Sequence, residues 1–434
     1  MVFDTKALNK LELNILHYNF PMFTIPKGSG LTKDLVKEAI EYNEQSRERY
    51  NALERYYLGQ HDILERVRSL TLKNNKLVIN HAKYITDTNT GFLLGNPVEY
   101  QAGEGYNIEP ILNQYKQQVI ADVDHEIAKD VSIFGKQYEL VYNLDNEVRS
   151  TNIDVRNCII VYDDTVQHNK LFGIIYKKAN LKDTYEDIVI YDTNFEYVGV
   201  SGGKIAIGEK KPHTFGAVPI VEYKNNSEMQ GDFEQVTTLI DAYNLLQSDR
   251  INDKEQLVDA ILVLSGFTMT QDITDQLMES RILSNVPLDG KAEYLVKSLN
   301  EADTDTLRQV IEADIHKISM TPNMTDENFV GNASGVAIRY KLLAFEQNIA
   351  NKERYFEKGL MDRFQLYNNY LHSLNKMELV PVYEVDCVFK RNLPQNDMET
   401  SQMILNLDRM VDRETLIGQL SFIKNAKETI EANK

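Results

Sequence analysis

The forty-residue stretch Ser334–Ser373, SGVAIRYKLLAFEQNIANKERYFEKGLMDRFQLYNNYLHS, contains no proline and carries its large apolar side chains at helical spacing. Ile338, Leu342, Phe345, Ile349, Phe356, Leu360, Phe364, Tyr367 and Leu371 step by 4, 3, 4, 7, 4, 4, 3 and 4. That period lines one face of a helix, and forty residues at 1.5 Å each make a rod of about 60 Å. Gly359 falls inside it at a cost of about 1 kcal/mol relative to Ala and is a candidate bend. The stretch before it, Met320–Gly335, holds Pro322, Gly331, Gly335 and four Asn or Asp, and reads as a loop.

Working outward, Val236, Leu239, Ile240, Tyr243 and Leu246 share a helix face, which predicts a helix over Asp232–Val258 about 40 Å long. A compact mixed insert, Asp259–Asn300, follows. It reads as a strand at 260–264, a helix near 272–282, and strands around Val286 and at 294–296. Asp303–Ser319 is helical again, with Leu307, Val310, Ile311, Ile315 and Ile318 on one face. Two helices flanking an insert, then a loop, then a very long helix fit an ordinary helical domain with an inserted subdomain. They also fit helices packed side by side around a ring, one face against a neighbour and another toward a lumen.

Toward the N-terminus, residues 1–30 are irregular and predict a mobile arm. Helices are expected over 32–58, capped by Thr32, over 80–94 and over 108–134, stopping at Gly59, Gly95 and Gly135. Between Tyr138 and Ile207 seven short β-rich runs alternate with turn residues, an antiparallel meander closed by Phe215–Tyr223. One late strand is expected over 382–390 and short helices from Met398 onward.

The chain of 434 residues has 47 Lys and Arg against 65 Asp and Glu, a net charge of −18. That balance excludes a free-standing DNA-binding protein, which neutralises phosphates with clustered cations. The charge is local: residues 232–335 carry 19 acidic and 7 basic side chains, a net −12. This is either a solvated acidic surface or a surface that must not bind phosphate, such as a pore through which DNA slides. Two cysteines, Cys158 and Cys387, are too few for a disulfide framework and suit a reducing compartment. No apolar run reaches the ~18 residues of a membrane span, and the N-terminus lacks a secretion signal, so a soluble cytoplasmic product is expected.

Enzyme signatures are absent from the sequence. Ser201-Gly202-Gly203-Lys204 lacks phosphate-loop spacing and reads as a hairpin turn. Gly103-Glu104-Gly105 lacks the third glycine of a dinucleotide loop. The eight histidines lie at least 20 residues apart, which leaves no local zinc motif. Asp163-Asp164 reads either as half of a carboxylate metal site or as a turn. No catalytic residue, metal ligand or cofactor is assigned.

Several stretches together resemble the portal proteins of long-tailed (siphovirus-type) bacteriophages. Asn75–Ile85 (NKLVINHAKYI) with Gly91–Val98 (GFLLGNPV) resembles that family's N-terminal signature. Cys158–Asp163, Gly173–Tyr176 and Phe215–Tyr223 with Asn225-Asn226 resemble its wing. Gly231-Asp232-Phe233-Glu234 through Leu239–Tyr243 resembles its first stem helix, and Gly331–Ala337 the junction of its tunnel loop and long helix. The matches keep family order over residues 35–425. The chain ends soon after the long helix, so any crown is short.

The resemblance implies an α+β portal fold assembled as a ring of about twelve or thirteen subunits at one capsid vertex. It places a wing at 31–231, stem helices at 232–258 and 301–319, and a small α/β clip at 259–300. A tunnel loop falls at 320–334, the long kinked helix with a wing return strand at 335–397, and a short helical crown at 398–434. The implied partners are other copies of the chain, double-stranded DNA in the channel, and the terminase large subunit followed by head–tail connector proteins. Major capsid and scaffolding proteins complete the list; there is no membrane partner. The implied location is the virion portal vertex, reached from the host cytoplasm. Tunnel-loop residues facing DNA would be Asn323, Met324, Thr325, Asp326, Glu327, Asn328, Phe329, Val330, Gly331 and Asn332. Arg250, Lys254, Arg308 and Lys317 would touch the DNA backbone or form intersubunit ion pairs. Asp272, Asp275, Glu279, Arg281, Asp289 and Lys291 would form the clip surface for motor and connector. Two other readings stand beside this one: a protein-only virion adaptor, and a metal-dependent DNA-processing enzyme using Asp163 and Asp164.

Overall fold

The computed structural model describes residues 22–69, 73–178, 184–201, 203–258, 261–265, 291–295, 301–324, 335–391, 397–407, 411–417, 420 and 430. The fold mixes helices and sheets, and the chain groups into two compact units. One comprises residues 1–54, 84–235 and 319–434; the other comprises 55–83 and 236–318. The sequence reading had kept residues 55–83 with the segment 31–231.

The first unit is organised by the helix Gly335–Ser373, 39 residues without interruption. Leu342, Phe345, Ile349, Phe356, Leu360, Phe364, Tyr367 and Leu371 are buried on it, as their spacing requires. They pack on the helices Glu109–Gln118 and Ile120–Phe134 and on the strands Lys136–Leu144 and Ile220–Lys224. Gly359 has a packing reason. A Cβ there would lie 2.3 Å from the ring of buried Tyr223, so the glycine admits that ring against the helix backbone.

The expected single meander divides into two sheets. Strands Ile220–Lys224, Lys136–Leu144 and Glu147–Ile153 form one antiparallel sheet of three. The second has six strands in the order Thr24–Ile25, Cys158–Asp163, Lys170–Lys178, Tyr185–Tyr191, Phe195–Val198 and Lys210–Pro212. Every residue of Cys158–Asp163 is buried, the mark of a strand covered on both faces. The helix Lys33–Glu44 covers one face, its Leu35, Val36, Ala39 and Ile40 meeting Ile159, Val161 and Ile174. Thr24–Ile25 pairs in parallel with Tyr162–Asp163, so the expected arm is strand by residue 24; residues 1–21 lie outside the described residues. Ser201 pairs with Lys204, which bears out the hairpin turn.

Two helices expected to be continuous are broken, and in both a side chain at the break reaches a distant strand or loop. Lys33–Glu44, whose cap Thr32 accepts from the Leu35 N–H, ends where buried Asn43 donates to the carbonyls of Val155 and Arg156 at 3.2 Å; Arg47–Tyr57 follows. Glu109–Gln118 and Ile120–Phe134 are divided by Val119 at φ 53°, a conformation β-branched residues avoid. Beside it, Gln118 donates to Val148 O at 2.6 Å and accepts the Ser150 N–H at 2.9 Å. The late strand is Val385–Val388, and it pairs with Glu99–Ala102 in a sheet of two instead of returning to a larger sheet. Helices Asp397–Leu407 and Arg413–Ile417 follow.

The long helix also buries two cations. Arg363 is fully buried. Its guanidinium pairs with Asp124, reaches Glu139 at 3.4 Å and Tyr100 Oη at 2.9 Å, and lies 5.1 Å over the Tyr115 ring. Tyr223 Oη donates to the other Glu139 oxygen at 2.6 Å. Eleven residues earlier, three helical turns along the same face, buried Lys352 pairs with Asp232.

Removing one partner of a buried pair strands the others, at about 3–5 kcal/mol. Arg363→Leu is expected to lower the urea unfolding free energy of the first unit by that amount, and adding Asp124→Asn and Glu139→Gln to recover a large part of it. If the triple variant is no more stable than Arg363→Leu, the charges are not what the guanidinium was balancing.

Candidate functional site

The acidic segment singled out by charge forms most of the second unit. Helix Thr237–Val258 lies beside helix Glu301–Ile318, and strands Ile261–Ser265 and Lys291–Leu295 pair antiparallel between them in sequence. The two helices share an ionic contact: Arg250 reaches Asp305 at 3.5 Å, and Arg308 bonds Asp305 at 3.0 Å and Glu312 at 2.7 Å. The Arg308 hydrogen bond holds the Asp305 carboxyl below its usual range. So Arg250 and Arg308 have carboxylate partners within their own chain, and Lys254 and Lys317 lie on exposed positions.

Helix Glu301–Ile318 departs from the sequence reading at its apolar face. Of the five apolar residues placed on one face, only Ile315 is buried. Leu307, Val310 and Ile318 are 50%, 51% and 46% exposed, and with half-buried Ile311 they line one stripe that contains Asp314. Periodicity identified a face that wants burial; it does not say which chain buries it.

Opposite helix Thr237–Val258 runs an extended strap, residues 73–80, which holds the N-terminal signature. Its backbone N–H groups are taken by helix side chains. Asn75 N donates to Asn252 Oδ1 at 2.8 Å, Leu77 N to Ser248 Oγ at 2.9 Å, and Ile79 N to Asn244 Oδ1 at 2.8 Å. Asn244, Ser248 and Asn252 are buried. The fit is metric: four helix residues rise about 6.0 Å, and two extended residues span about 6.6 Å. Arg66 (2.6 Å) and Arg68 bind Asp249 and fasten the approach to the strap. The polar trio at i, i+4, i+8 was legible in the sequence, yet nothing local announced a strap as its partner.

In the first unit, Gly231-Asp232-Phe233-Glu234 is structural at every position. A Cβ on Gly231 would lie 2.2 Å from Ile133 O. Asp232 takes Lys352, Ser132 Oγ and Asn225 Nδ2. Phe233 is fully buried, and Glu234 takes Arg49 through two bonds of 2.6 Å. Of the expected DNA-facing loop, Asn323 and Met324 are described. The chain enters it pinned, with Met324 N donating to Tyr84 Oη at 3.0 Å and Tyr84 Oη donating to Pro322 O at 2.9 Å. Thr325, Asp326, Glu327, Asn328, Phe329, Val330, Gly331 and Asn332 lie outside the described residues, as do Asp272, Asp275, Glu279, Arg281 and Asp289. Lys291 is exposed on its strand.

Asp163 serves a turn. Its carboxylate accepts from Thr165 Oγ1 at 2.6 Å and from Asn169 N and Nδ2 at 2.9 Å each, and these bonds lower its pKa to about 2. Among the described residues no group of three or more His, Cys, Asp or Glu could hold a metal ion. No helix among them is long and apolar enough to cross a membrane.

A long inward-packed helix, a helix pair carrying much of the acidic charge, and a strap held by helix side chains are the architectural features of the described residues. A family model described as phage portal protein, SPP1 Gp6-like, matches residues 36–434, and the chain belongs to that family. It is 24% identical to the portal protein of Bacillus phage SPP1 over 412 residues, 87% of this chain and 81% of that protein. It is 25% identical to the portal protein of Clostridium phage phiCD119 over 199 residues, 44% of this chain and 42% of that protein. Among solved structures it is similar to a chain of the virion of a native gene transfer agent particle. That match has a TM-score of 0.47 and 10% identity, covering 88% of this chain and 93% of the other. As a phage portal protein the chain is a component of the virion capsid.

One acid in the second unit is held unusually. Burial raises Asp241 from the ordinary carboxylate value to about 7, while its two oxygens accept from Tyr56 Oη at 2.8 Å. The folded chain therefore binds a proton that the unfolded chain has released, so stability falls as pH rises from about 4 to about 7. Asp241→Asn keeps an acceptor for Tyr56 and removes the titration. It is expected to match the parent near pH 4 and to exceed it in urea midpoint at pH 7.5; a constant difference across that range would show that Asp241 is not the linked group.

Proposed function

We propose that this portal protein assembles as a ring of about twelve or thirteen copies at one capsid vertex and forms a channel for double-stranded DNA. In this reading residues 31–231 and 335–397 are the wing, and 232–258 and 301–319 the stem. Residues 259–300 are the clip, 320–334 the tunnel loop, and 398–434 a short crown. DNA enters during packaging and leaves at ejection. The clip receives the terminase motor and afterwards the head–tail connector proteins, while capsid and scaffolding proteins meet the ring as it initiates the procapsid in the host cytoplasm. No catalytic step and no cofactor is required of the chain.

The observation that carries the ring is the half-exposed stripe Leu307, Val310 and Ile318 on a helix whose other face is already packed. A contiguous apolar stripe marks an interaction surface, and a closed ring buries it in every copy. The observation that favours passage over capture is charge. Residues 232–335 carry a net −12, and Arg250 and Arg308 have carboxylate partners in their own chain. Each phosphate neutralised would add affinity and slow the duplex, so an acidic wall keeps contacts weak and independent of sequence.

Native mass spectrometry of the purified chain is expected to show rings of twelve or thirteen. The double variant Leu307→Glu/Val310→Glu should leave the far-ultraviolet circular dichroism unchanged, because both side chains are half exposed, and shift the population to monomers. Rings that survive it would place the interface elsewhere. Shortening residues 323–332 is expected to abolish DNA packaging or retention; intact packaging would favour an adaptor that binds only protein.

A further inference from the structure

The strap over residues 73–80 is tied to a histidine. His61 is fully buried in the second unit, its ring stacked on Tyr56 with centroids 4.7 Å apart. Nε2 lies 2.9 Å from Tyr56 O, an acceptor only, so Nε2 carries the hydrogen. Nδ1 lies 2.8 Å from Asn244 Nδ2. The orientation of that amide is set from the other side, because Asn244 Oδ1 accepts the Ile79 N–H at 2.8 Å. His61 is therefore neutral, with Nδ1 the acceptor.

We propose that His61, Asn244 and Ile79 form an acid-released latch, in which protonation of His61 at Nδ1 detaches the strap from helix Thr237–Val258. A proton on Nδ1 turns the acceptor into a donor facing the Asn244 NH2. Turning the amide over would satisfy the imidazolium, but it would set Nδ2 against the Ile79 N–H, donor against donor. One side chain cannot serve both, and the conflict falls at the lower end of a ladder whose other rungs are Ser248 and Asn252. A buried donor left without an acceptor costs about 1–3 kcal/mol, comparable to holding a short strap.

The charged and titratable surroundings are mixed. Asp62 and Arg55 pair with each other at 2.5 Å beside His61, and Glu65 reaches Arg55 at 3.3 Å. Asp241 sits on the far end of Tyr56, and Asn80 faces the ring. His81, with His316 at 5.6 Å, adds like charge when protonated. Burial outweighs the attraction of Asp62 and lowers the His61 pKa, and burial lowers His81 to about 4. A histidine with a lowered folded pKa contributes stability that is lost as pH falls below its ordinary value.

The test is hydrogen exchange read by mass spectrometry on the full chain between pH 7.5 and 4.5, corrected for intrinsic rates. In the parent, protection of the peptide spanning residues 75–80 is expected to fall by up to about tenfold per pH unit once His61 titrates, while protection of helix Gly335–Ser373 stays constant. His61→Gln, whose side-chain oxygen can still accept from Asn244, should hold the strap at every pH. Asn244→Asp, whose carboxylate accepts from both neighbours, should hold it at pH 4.5. His81→Gln should behave as the parent. Strap protection in the parent that does not change with pH, or a loss that persists in His61→Gln or vanishes in His81→Gln, would overturn the latch.

Discussion

A guanidinium out of water is the constraint on which the first unit rests. Arg363 cannot shed its charge, so the fold must bring acceptors to it. Asp124 comes from the helix Ile120–Phe134, Glu139 from a strand, and Tyr100 from another strand. These groups lie 224 to 263 residues away in sequence. Lys352 repeats the arrangement three turns earlier with Asp232. Two cations on one buried face, each matched to a carboxylate from elsewhere, set the register of the long helix. Sliding it by one turn would bury both charges without partners.

The second unit solves a different problem by a different device. An extended segment with no neighbouring strand must place its N–H groups somewhere. Here a helix supplies the acceptors through Asn244, Ser248 and Asn252, because four residues of helix and two of extended chain have nearly the same length. The first part of the signature, Asn75–Asn80, is therefore held through its backbone. The residues that hold its backbone sit about 170 positions away.

The charge of −18 first argues against contact with DNA, whereas membership of the phage portal family places the chain in a particle that carries it. The two agree once the charge is located. Carboxylates of the second unit pair with Arg66, Arg68, Arg250 and Arg308, which in the proposed channel would weaken their contact with phosphate.

Local rules were enough for much of the architecture. The apolar period of residues 335–373, the Thr32 cap, the glycine stop at Gly135 and the hairpin that pairs Ser201 with Lys204 all read correctly, because each depends on residues within a turn or two. The order of short motifs also carried the family. What failed depended on partners far along the chain. The helix breaks at residues 45 and 119 follow from Asn43 and Gln118 bonding to residues 148–156, and a propensity scan sees an unbroken helix in both places. Gly359 stood out in the sequence as a glycine inside a helix, but only the packed structure puts the Tyr223 ring against it. Leu307, Val310 and Ile318 share an apolar face in the sequence, yet the single chain leaves them half exposed. Periodicity reports that a surface must be covered; only the packed structure says by what, because the covering group is chosen by geometry across hundreds of residues and not by its neighbours in sequence.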